Sequence, residues 1–152
     1  MNLKSTIEDA CRSAMKNREG LLLSVLRLLL TAIHNREIEK RAKSGGAGSE
    51  LTDEEIMAVI RSEAKKRKDA IAEYARGGRA AAAEKETQEL AILEKYLPQE
   101  ISDEEIEKLV RPLAAGRAMS DFGAVMSAAM KTVAGGTSGD RVSAVVKRML
   151  GA

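Results

Sequence analysis

Leu90-Ala-Ile-Leu-Glu-Lys-Tyr-Leu97-Pro98-Gln-Glu-Ile-Ser102-Asp-Glu-Glu-Ile106 divides the chain. Pro98 lacks an N–H and disfavours helical geometry at Leu97, so a helix arriving through Leu90 and Leu93 must stop there. Ser102 followed three residues later by Glu105 is a capping box that satisfies orphan N–H groups at the start of a new helix. Before the junction the helices are long. After it they are short and separated by glycines. The chain is therefore predicted to consist of two helical parts, residues 1–98 and 99–152.

Outward from the junction, hydrophobic spacing places the remaining elements. Leu3, Ile7, Ala10, Cys11 and Ala14 mark an amphipathic helix reaching about Lys16. Residues 18–43 read as one long helix. Its first half is leucine-rich on nearly every face and is expected among other helices; its second half, His34 to Arg41, is charged and expected in water. A loop, Ser44 to Ser49, leads to Thr52 and Glu55, a second capping box. The helix that follows runs to about Ala75, where Gly77-Gly78 breaks it, and the next spans about Arg79 to Leu97. A two-glycine break between long helices predicts an antiparallel hairpin. The second part should hold helices at about 103–115, 121–131 and 140–150. No segment alternates with period two, so the fold class is all-α.

Composition narrows the class. Hydrophobic residues make up 44% and charged residues 32%, the balance of a packed helical protein. The aromatic residues are Tyr74, Tyr96 and Phe122, so the core must be aliphatic. Cys11 is the single cysteine, which excludes an intrachain disulfide and suits a reducing compartment. The longest apolar run, Leu21 to Ile33, contains Ser24, Arg27 and Thr31 and is too short for a bilayer. No signal-peptide core opens the sequence, so a cytoplasmic location and no membrane partner are expected. Net charge is only +2, but residues 61–79 hold seven basic residues against three acidic ones.

That concentration supplies two sets of candidate site residues. Glu63 and Arg67 lie four apart, and counting back from the Gly77-Gly78 turn sets Arg67 opposite Glu89 with Glu86 one turn away. This is expected to be a structural polar seam that fixes the hairpin's register. Its alternative is a carboxylate pair for acid–base or metal work, which would ordinarily recruit histidine as well. Arg61, Lys65, Lys68, Arg76 and Arg79 form an outer stripe, either a solvated face or a candidate RNA-binding strip that grips phosphates. Three aromatics offer no stacking platform for single strands. Cys11 lies on an apolar stripe and reads as a small hydrophobe rather than a nucleophile paired with His34. No P-loop, dinucleotide fingerprint, serine-nucleophile or zinc spacing occurs, so no catalytic residue, metal or cofactor is assigned.

Leu26-Arg-Leu-Leu-Leu-Thr-Ala-Ile33, Leu51-Thr-Asp-Glu-Glu55, Lys66-Arg-Lys-Asp69, Gly78-Arg79, Glu89-Leu-Ala-Ile-Leu93, Tyr96-Leu-Pro98 and Gly123-Ala-Val-Met126 together resemble the GatB/YqeY family, and most closely its stand-alone YqeY-like group. The resemblance spans essentially the whole chain. It implies a helical N-terminal part followed by a small three-helix module similar to the tail of the B subunit of aspartyl/glutamyl-tRNA amidotransferase. Similar modules are fused to some glutaminyl-tRNA synthetases. In the amidotransferase that tail handles tRNA, and the transamidation site lies in another domain with no counterpart among these residues.

The resemblance therefore implies a non-catalytic tRNA-binding or tRNA-enzyme accessory module, with tRNA or a tRNA-charging or amidotransferase complex as partner. The alternatives are an enzyme of carbon–nitrogen ligase type with glutamine as amide donor, and a helical protein-interaction adaptor. One departure bears on this. Where the YqeY-like group reads close to Gly-Arg-Ala-Asp-Gly-Lys between its last two helices, this chain has Gly135-Gly-Thr-Ser-Gly-Asp140, which weakens any phosphate contact there.

Overall fold

Several helix starts in this protein are set by side-chain caps. In a computed structural model that describes residues 2–46, 48–133 and 136–151, the Asn2 side chain accepts the Ser5 N–H at 2.8 Å and opens α1, Leu3–Lys16. Arg18 adopts a left-handed conformation, φ 58°, which turns the chain into α2, Gly20–Lys43. Thr52 and Glu55 form a reciprocal capping box at the head of α3, Asp53–Arg76, and Ser102 and Glu105 repeat it at the head of α5, Asp103–Ala114. The Lys40 ammonium and the Thr52 N–H both bond the Glu55 carboxylate, in that order of effect, and hold it below the usual carboxylate range. Between these lies α4, Ala80–Glu94; a 3₁₀ turn, Met119–Asp121, precedes α6, Phe122–Val133, and α7 is Gly139–Gly151. Among the described residues there is no strand, and the fold is all-α.

The chain separates into two compact units, Met1–Leu97 and Pro98–Ala152. In the first, Ile7 of α1, Val25, Leu26, Leu29 and Ile33 of α2, Ile56, Ile60 and Ala64 of α3, and Leu93 of α4 form one buried aliphatic cluster. In the second, Ile106 and Val110 of α5, Val125 and Ala129 of α6, and Val142, Val145 and Val146 of α7 form another. Tyr96 and Phe122 pack against the edges of these clusters, and aliphatic residues fill their centres. No helix among the described residues is long and apolar enough to cross a membrane.

Three sequence expectations change. Helix α4 ends at Glu94 rather than Leu97, because its last turn tightens: Tyr96 N–H bonds Leu93 O and Leu97 N–H bonds Glu94 O, each at 3.1 Å, ahead of Pro98. The leucine-rich half of α2 is not enclosed on every side. Val25, Leu26 and Leu29 face the core, whereas Leu21 and Leu28 remain 37% and 57% exposed. The polar half of α2 is not uniformly wet either, since Glu37 turns inward and takes the Lys4 ammonium at 2.8 and 3.0 Å.

Because each unit has its own cluster, a fragment of residues 1–97 is expected to stay helical and soluble. Residues 98–152, a short fragment, should be marginal alone. Far-UV circular dichroism and denaturant melts of the two fragments check this. An unfolded N-terminal fragment would show that the second unit completes the first core.

Candidate functional site

The α3–α4 hairpin carries every candidate residue read from the sequence. Its turn forms because Gly78 takes φ 71°, while the Arg79 N–H reaches back to Tyr74 O at 2.8 Å and the Gly78 N–H to Ala75 O. The small residues Ala80 to Ala83 open α4 opposite Ile71 and Tyr74, which are half-buried. Between Ala64 on α3 and Glu89 on α4 no residue is fully buried, so this stretch is a two-helix arm whose main packing partner is itself.

At the base of the arm Arg67 donates from Nη1 to Glu86 Oε2 at 3.0 Å and to Glu89 Oε2. The three side chains are 13%, 21% and 10% exposed. Both carboxylates are thus committed to one guanidinium. Arg67 Nε is buried and has no partner, so the stabilisation rests on the two ion pairs. Glu63, expected in the same seam, lies outside it and takes the Lys66 ammonium at 2.7 Å on its own helix. The i, i+4 spacing allowed a Glu63–Arg67 contact, but α4 offers Arg67 two carboxylates in drier surroundings. Among the described residues no group of three or more His, Cys, Asp or Glu side chains is placed to hold a metal ion.

The basic stripe follows one side of α3 but is unevenly available. Arg61 is half-buried; Lys65 and Arg76 are exposed, and Arg76 pairs with Glu73 one turn before it. Lys68 leans toward α4 and lies 3.5 Å from Glu94. Arg79, at the turn, is exposed and makes no ion pair among the described residues. Charge spacing identified the face, but only the paired helix shows which cations α4 partly neutralises.

Sequence reasoning missed a second feature of the same helix. A groove of about 450 Å³ runs between α2 and α3 over Ala32, Ala58 and Val59, rimmed by Asn35, Arg36, Glu39 and Lys66. Arg36 bonds Glu39 at 2.9 Å. In the second unit the altered loop falls partly outside the described residues, at Gly135. Its remainder is tied down: Ile101 N–H bonds Gly136 O, and Arg141 reaches Glu100 at 2.9 Å, Asp103 at 2.7 Å and the buried Thr137 hydroxyl at 3.2 Å. The bond to Asp103 holds the Arg141 proton more tightly than usual. This end of the unit is occupied by its own carboxylates.

Compared with known proteins, residues 4–150 match the family model described as Yqey-like protein. An uncharacterised protein of Schizosaccharomyces pombe is similar, 31% identical over 102 residues that make up 67% of this chain and 77% of that protein.

If the ion pairs anchor the hairpin, Arg67→Ala strands two part-buried carboxylates and should cost about 3–5 kcal/mol. The exposed Arg76→Ala should cost under about 1 kcal/mol. Urea melts of both variants provide the comparison, and equal losses would remove the special status of Arg67.

Proposed function

The chain belongs to the YqeY-like family, and on that premise we propose that it is a non-catalytic tRNA-binding or tRNA-enzyme accessory module of the cytoplasm. The resemblance of its second part to the tail of the amidotransferase B subunit is what supports this partner class. The single observation that carries the reading is the α3–α4 arm, on which Lys65, Arg76 and Arg79 are exposed along one side and around the turn. An arm of helical pitch with cations along one side suits the backbone of a folded RNA better than a single strand, which would ask for stacking aromatics.

The seam does not favour the ligase alternative, because Glu86 and Glu89 are both engaged by Arg67 and neither is left to move a proton. The Arg141 cluster likewise turns the loop after α6 toward protein carboxylates. The adaptor reading keeps one observation on its side, the exposed apolar residues of α2.

With so few exposed cations on the arm the binding should be weak, in the range of about 10⁻⁴–10⁻⁶ M typical of backbone contacts, and strongly dependent on salt. Fluorescence anisotropy with total tRNA over a salt series tests it. Lys65→Ala, Arg76→Ala and Arg79→Ala should each lower the log–log salt slope by roughly one without altering the circular dichroism spectrum. Absence of binding at low salt, or binding indifferent to these changes, would overturn the proposal and leave the adaptor.

A further inference from the structure

We propose that Met15 is a modification site for hydrogen peroxide, and that Arg27 grips the sulfoxide formed there, so that oxidation tightens the joint between α1 and α2. That joint turns on the left-handed backbone of Arg18, which sends α2 back along α1. The buried face of α1 runs through Ile7 and Ala14. Met15 follows Ala14 at about 100° round the helix and so leaves that face. It is 53% exposed. Arg27, exposed on α2, donates from Nη2 to Met15 Sδ at 3.9 Å, although the two residues lie twelve apart in sequence. Arg27 has no carboxylate partner among the described residues. Met119 and Met130 are also exposed, at 48% and 36%, but no cation donates to their sulfurs among the described residues. Met57, Met126 and Met149 are half-buried.

The contact changes in strength when the sulfur is oxidised. A thioether sulfur is a weak acceptor, so the guanidinium gains little from it as it stands. In the oxidation a sulfur lone pair attacks one peroxide oxygen, and the S–O bond forms as the O–O bond breaks. The other oxygen leaves as hydroxide and takes the proton that the attacking oxygen gives up, forming water. Sulfur loses two electrons, the peroxide gains them, and Arg27 keeps all its protons. The new oxygen carries partial negative charge. Turned toward Arg27, it can accept a charge-assisted bond of about 2.8 Å across the gap that the sulfur alone leaves open. A methionine oxidised inside a core disrupts its packing, because the added atom is polar. Met15 lies off the Ile7–Ala14 face, so its oxidation parts no apolar contact there and supplies an acceptor to a cation that lacks a carboxylate.

Melting temperatures of the full chain before and after hydrogen peroxide test the proposal, with peptide mass spectrometry locating the added oxygen. In a Met119→Leu, Met130→Leu background, Met15 should be oxidised ahead of the half-buried Met57, Met126 and Met149. The melting temperature should then rise by about 2–4 °C. With Arg27→Ala added, the same treatment should leave it unchanged or lower it, and any oxidation elsewhere enters both proteins and cancels. Met15→Gln places an acceptor oxygen one bond beyond the sulfur position without any oxidant. It should melt above Met15→Leu when Arg27 is present, and not above it in Arg27→Ala. Half-buried methionines reacting before Met15, equal shifts with and without Arg27, or a Met15→Gln protein no more stable than Met15→Leu would each overturn the proposal.

Discussion

A guanidinium that has left water must find carboxylates, and the first unit is organised around that requirement at Arg67. Glu86 and Glu89 can both reach Arg67 only when α3 and α4 pair in one register, with the Gly77-Gly78 turn at the far end. Sliding the helices by a turn would leave a charge buried and unmatched, at a cost of several kcal/mol. The ion pairs also sit where the aliphatic core ends. Ala64 and Leu93 belong to the core, and beyond Glu89 the hairpin has only its own half-buried Ile71, Tyr74 and alanines. The seam is therefore the last firm attachment between the core and the arm that carries the cations.

Much of this architecture was legible because it is encoded locally. Capping boxes at Thr52 and Ser102, the glycine turn and the stop at Pro98 each act within a few residues, and helical periodicity sets which side faces inward. Counting along two helices from a short turn sets Arg67 opposite Glu89, since register errors cannot accumulate over so short a path. What resisted reading depends on distant segments. Nothing near Glu37 announces that Lys4 will come to meet it. The Arg141 cluster draws on Glu100, Asp103 and Thr137 from separate stretches. Glu63 could have served Arg67 or Lys66 by spacing alone, and only the position of α4 decides. The exposure of Leu21 and Leu28 was hidden for a related reason: a run with leucines on nearly every side has no visible face until its neighbours are placed.

The first unit presents two surfaces of different chemistry on neighbouring helices. The arm offers cations on a support with little apolar backing, suited to a partner recognised by charge and shape. The outer face of α2 instead exposes the apolar side chains Leu21, Leu28 and Ile38. In the second unit two cations are paired internally, Arg141 with Glu100 and Asp103 and Arg148 with Glu107. The stripe on α3 can act as a phosphate grip only if the arm keeps its helical pitch, which ties the proposed binding to the ion pairs beneath it.

That dependence can be measured directly by hydrogen exchange. Backbone amides of residues 68–88 should be protected in the native protein. In Arg67→Met, which keeps an unbranched apolar stem and loses the charged guanidinium, they should lose protection while α1, α2 and the second unit keep theirs. Unchanged protection of the arm in that variant would contradict the account, because the hairpin would then be held by its own packing and not by the buried ion pairs.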